Sequence, residues 1–97
     1  MTLLAGCGGS AGDQFLGKWV GVKNDKHVLE IERNGDSYMV RNTEPSPFTG
    51  KTRTTNLPAT LQDDVLQVSV GFGAISLAID GKSGNLTDGR MEYRRQE

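Results

Sequence analysis

The sequence predicts an all-β domain, an antiparallel meander of seven to eight short strands that forms a small barrel, complete or incomplete, or a two-layer sandwich. Three observations point there. From Phe15 onward apolar residues recur at every second position in short runs. Clusters of Gly, Asn, Asp and Pro separate those runs. No segment of about ten residues or more carries a helical period, although residues 11–16, beside the tether, leave room for a short helix. With 97 residues, 35% of them hydrophobic, the chain has room for one core and no second domain.

The elements follow in order. Residues 17–23 form the first candidate strand. Residues 28–33 form the second, with Leu29 and Ile31 on one face and Glu30 and Glu32 on the other. Asn34-Gly35 reads as a type I′ turn into residues 37–41, where Tyr38 and Val40 share a face. Residues 51–57 are rich in threonine and poor in buried types, which fits an edge or strongly twisted strand that Pro58 ends or interrupts. Asp63-Asp64 is a polar turn before residues 65–70, where Leu66, Val68 and Val70 alternate with Gln67 and Ser69. Gly71-Phe72-Gly73 turns the chain again. Residues 74–80 place Ile75, Leu77 and Ile79 on one face, the clearest alternation in the chain. Beyond the turn at residues 80–84, short strands around Leu86 and over 91–94 close the domain.

The N-terminus carries a different signal. Leu3-Leu4-Ala5-Gly6 immediately precedes the only cysteine, Cys7, and Gly8-Gly9-Ser10-Ala11-Gly12 follows it as a flexible tether. Leu4-Ala5-Gly6-Cys7 resembles the lipobox of bacterial lipoproteins. The resemblance implies that a peptidase cuts before Cys7, whose thiol carries acyl chains and anchors the protein in a membrane. Each buried methylene of such a chain contributes about 0.8 kcal/mol, and two or more chains hold a protein stably. By the same resemblance, Gly8 stands where aspartate would retain the protein in an inner membrane, so the expected location is the outer membrane, facing the periplasm. Only six residues precede Cys7, fewer than the apolar stretch of roughly 7–15 residues in a signal peptide. The expectation is therefore a truncated start or an initiation codon further upstream. The expected organisation is a signal-peptide remnant over 1–6, a lipidated cysteine and tether over 7–14, and a β domain over 15–97.

Gly17-Lys18-Trp19 resembles the Gly-x-Trp motif that opens the first strand of lipocalin-like domains. That family's tryptophan closes one end of the barrel beneath an arginine from the last strand. The resemblance assigns the closing role to Trp19 and, in Tyr93-Arg94-Arg95, first to Arg94. From the residues alone, Trp19 is first of all a core aromatic.

The chemistry-bearing residues are sparse. Eleven Lys and Arg against twelve Asp and Glu, spread along the chain, make no basic stripe, so nucleic acid is not an expected partner. One histidine, His27, stands in a polar turn and reads as an exposed loop residue. The chain lacks the His/Cys set expected of a zinc site or a Ser-His-Asp triad, so neither a metal nor a cofactor is expected. Gly50-Lys51-Thr52 copies the end of a phosphate-binding loop, but Pro45 stands where its first glycine should be. The loop at Asp80 departs from a calcium loop at Lys82 and Met91, and a hairpin turn explains it. Glu30 and Glu32 belong to the wet face of their strand, so no carboxylate pair is placed for acid–base work and no enzyme activity is expected.

Two loop aromatics remain. Phe48 lies between Pro47 and Thr49, and Phe72 between two glycines. Either they open onto one end of the barrel as a binding surface, or each folds back to plug it; the plug is the simpler reading for a small core. The functional expectation is a non-enzymatic envelope protein that binds a protein partner. The alternative is a lipocalin-like carrier of a small apolar ligand, with a cavity lined by Trp19, Leu29, Ile31, Ile75 and Leu77.

Overall fold

The computed structural model describes residues 12–46 and 48–96. Eight strands follow in chain order: β1 (Gly17–Gly21), β2 (Val28–Asn34), β3 (Ser37–Pro45), β4 (Thr52–Gln62), β5 (Val65–Ser69), β6 (Ala74–Ile79), β7 (Leu86–Thr87) and β8 (Glu92–Arg95). Each pairs antiparallel with its neighbour, and β8 returns to β1, so the meander is a closed barrel rather than a sandwich. Closure leaves no sheet edge for a barrel of this size to protect.

Several turns and ends differ from the sequence reading for physical reasons. Asn34 pairs with Ser37, so the tight turn is Gly35-Asp36, one residue later than expected. Gly35 has φ +63° there, the first central position of a two-residue hairpin that only glycine occupies freely. Pro58 does not end β4. It pairs with Met39 of β3 and lies just beyond the last β4–β5 pair, Ala59 with Val68. That side of the strand has no ladder to donate to, so the missing N–H costs nothing. β3 runs to Pro45, four residues past its expected end, and pairs there with Thr52, while β4 runs on to Gln62, five residues past its own.

The inward face is the apolar set of each strand. Phe15, Trp19, Ile31, Tyr38, Leu66 and Leu86 are buried at one end of the barrel, each at most 4% exposed. This layer is packed solid, and truncating a member such as Leu66 to alanine would cost ~2–5 kcal/mol. Residues 12–15, within the stretch where the sequence left room for a short helix, form a helical turn that closes this end. Phe15 N–H donates to Gly12 O at 3.0 Å and Leu16 N–H to Asp13 O at 3.1 Å. Gly12 is buried, and Arg33 reaches Asp13 at 2.9 Å. The packed domain thus begins by residue 12. Cys7 and the motif around it lie outside the described residues.

Candidate functional site

The two ends of the barrel are unlike. At the sealed end Trp19 is fully buried and its Nε1–H donates to Phe15 O at 3.0 Å. The guanidinium over the indole is that of Arg95, not Arg94. Strand parity decides this. Arg95 is the cross-strand partner of Trp19, while Arg94 pairs with Val20 and shares the outward face with Glu92. Arg95 also donates to Leu16 O at 2.8 Å and Gln14 O at 2.7 Å, which ties the helical turn to the last strand. Gly17, at φ +120°, lets the chain pass directly beneath that guanidinium.

The other end, where residues 22–27, 46–51, 70–73 and 88–91 connect the strands, is open. A cavity of about 430 Å³ descends from it into the upper half of the barrel. Its floor is Leu29, Val40, Leu57, Val68 and Leu77. Ile75 lines it near the lip, as expected, but Trp19 and Ile31 do not, because both belong to the packed layer below.

The mouth has two chemically distinct halves. On the β5–β6 side Val70, Phe72 and Ile75 keep it apolar to the rim. On the β3–β4 side the inward positions change character as the strands rise. Val40 is followed by Asn42 and Glu44, and Leu57 is flanked upward by Thr55 and Arg53. Glu44 stands opposite Arg53 in the ladder. A ligand with one apolar and one polar side fits such a lining.

His27 is part of this mouth rather than an isolated loop residue. Its Nε2 lies 2.8 Å from Asn42 Oδ1, which can only accept, so the proton sits on Nε2. Asn42 Nδ2–H in turn donates to Glu44 Oε2 at 3.3 Å. The His27 ring also meets Tyr93 edge-on at 5.1 Å between centroids. Tyr93 is 3% exposed and forms part of the cavity wall. Burial first, then the charges of Asp88 and Glu44, push its phenol up to about 12. Among the described residues its hydroxyl has no hydrogen-bond partner.

Phe48 and Phe72 both rise from this end, and neither folds back as a plug. They are 93% and 96% exposed, the most exposed large apolar side chains among the described residues. Phe72 borders the cavity; Phe48 stands in the adjacent loop. Glu30 and Glu32 lie on the outer wall, 3.3 and 3.2 Å from the same Arg41 guanidinium. The Asp80 loop closes on itself, its carboxylate accepting from Lys82 N and the Ser83 hydroxyl. No cluster of three metal-ligating side chains occurs among the described residues.

Fold and site together define a small closed β-barrel with one sealed end and one open, half-polar mouth. No family model matches the chain, and no curated protein or solved structure is significantly similar to it.

Proposed function

We propose that this is a non-enzymatic binding protein whose open barrel mouth takes a small apolar or amphipathic molecule. The observation that carries the reading is the cavity itself. Its volume of about 430 Å³ and its apolar floor fall within the range of small-molecule sites. A neutral fluorescent probe, N-phenyl-1-naphthylamine, tests it. Enhanced emission is expected with the wild-type protein and is expected to vanish in Val68→Phe, which fills the floor. Binding unaffected by that substitution would refute the reading. Trp19 fluorescence is not a suitable signal, because the indole lies beneath the floor and not in the cavity.

A second reading rests on Phe48 and Phe72. Two nearly fully exposed aromatics on one end of a small protein are the kind of patch that a partner protein covers. Cross-linking in envelope extract, with Phe48→Ala/Phe72→Ala as control, separates this reading from the first.

The motif at Cys7 supports a lipid-anchored protein of the bacterial envelope, and the Gly-x-Trp motif with its stacked arginine supports a lipocalin-like relationship. The described chain starts at the sealed end, and Cys7 lies five residues before Gly12. Five residues reach at most ~18 Å. Acyl chains on Cys7 would therefore hold the sealed floor toward the bilayer and turn the mouth away from it.

A further inference from the structure

The reading of the mouth as a ligand site can be carried to a class of ligand. Tyr93 lines the cavity, its hydroxyl has no partner among the described residues, and the residue is only 3% exposed. A hydroxyl that no protein group engages bonds with whatever fills the cavity, so a bound molecule with a hydrogen-bonding head has a place there to make that bond.

The groups around that hydroxyl favour one kind of head group. Asp88 and Glu44 line the same cavity as Tyr93, and both carboxylates act through space on its phenol. Asp88 Oδ1 already accepts from the Arg90 and Met91 amides, and Glu44 Oε2 from Asn42. Their remaining oxygens still accept. Among the lining residues Arg53, opposite Glu44 in the ladder but more exposed to water, balances only one of the two carboxylates. An anionic head placed at Tyr93 would meet a lining of net negative charge. A neutral or cationic head with a donor would find acceptors in that lining. The apolar β5–β6 wall opposite leaves a place for a hydrocarbon body.

Resting on the binding function proposed above, we infer that the natural ligand is an amphiphile. Its apolar body occupies the floor between Leu29 and Leu77, and its neutral or cationic hydrogen-bonding head is held at the Tyr93 hydroxyl, between Glu44 and Asp88.

The test is calorimetric titration of the full chain with naphthalene, 1-octanol, octylamine and octanoate near neutral pH. Wild type is expected to bind octanol and octylamine more tightly than octanoate. Tyr93→Phe is expected to weaken octanol and octylamine by roughly 5-fold and leave naphthalene unchanged. Glu44→Gln, at the rim and outside the packed layer, is expected to weaken octylamine by roughly 3-fold without affecting octanol. The inference is overturned if octanoate binds most tightly of the three, or if Tyr93→Phe changes nothing while naphthalene still binds. Failure of wild type to bind any of the four compounds would instead overturn the binding function and the ligand class with it.

Discussion

The Arg95 guanidinium lies 4.2 Å from the centroid of the Trp19 ring, and the two residues are direct partners across the seam where β8 meets β1. One contact therefore serves both closures of the barrel. It joins first strand to last, and through Leu16 O and Gln14 O it holds the helical turn against the sealed end.

Removing that contact should be costly, whereas its neighbour should be expendable. A cation–π contact plus two hydrogen bonds from a charged donor, partly in water, predicts a loss of about 2 kcal/mol for Arg95→Ala. For a domain this small that lowers Tm by roughly 10 °C. Arg94→Ala, on the outer face, should change stability by less than about 0.5 kcal/mol. Thermal denaturation of both variants checks the assignment, and an equal effect would contradict it.

The Asp63-Asp64 hairpin offers a gain. Both aspartates have positive φ, 51° and 68°, a region that glycine enters freely and that aspartate tolerates only at some cost. Asp64→Gly should stabilise the protein by about 0.5–1 kcal/mol, by relieving that strain and separating two like charges. A higher urea midpoint at unchanged slope is the expected result.

Two pH effects have opposite signs. Tyr93 is raised to about 12 by burial first, then by Asp88 and Glu44. The stability associated with its neutral phenol is complete below the ordinary tyrosine value near ~10 and is lost as pH climbs toward the folded value. Alkaline unfolding between those limits should be shallower in Tyr93→Phe, and absorbance at ~295 nm should show Tyr93 ionising late.

Asp80 runs the other way. The Lys82 amide, followed by the Ser83 hydroxyl, holds its carboxyl below the usual aspartate range. Its contribution is present above the unfolded value near ~4 and fades as pH falls through the folded one. Urea midpoints of wild type and Asp80→Ala should differ at neutral pH and converge in acid. A constant difference would show that the turn is held by something other than that charge.

The alternation of Leu66 with Val68 and of Ile75 with Leu77 made the meander legible, because a half-buried strand needs little more than period two. Closure was not legible. It depends on β8 finding β1, a contact between residues almost at opposite ends of the described chain. The same gap explains Arg94 and Arg95. The arginine that stacks follows from parity with buried Tyr93, but only once that strand's inward face is known. Pro58 read as a strand end under a local rule, and the fold overrides it where the neighbouring ladder stops. At the mouth, His27, Asn42, Glu44, Arg53 and Tyr93 come from four different strands or their connections, so no spacing announced them. One signal was present. Continuing the Tyr38–Val40 face of β3 places Asn42 and Glu44 inward, and polar residues on an inward face mark a solvated cavity.

The anchor proposed at Cys7 predicts an orientation. In proteoliposomes bearing the lipidated chain, a fluorophore at Asp63→Cys, on the sealed end, should be quenched by a headgroup quencher more strongly than one at Phe72→Cys. Equal quenching, or the reverse order, would contradict the arrangement in which the mouth faces away from the membrane.

The most direct test of the mouth as a binding site is a methyl NMR titration with N-phenyl-1-naphthylamine. Saturable shifts are predicted at Leu29, Val40, Val68 and Leu77, with Leu66 and Leu86 in the packed layer unmoved. Shifts absent from the four floor residues, or confined to the Phe48 and Phe72 loops, would contradict a ligand cavity and leave the open end as a protein-docking surface.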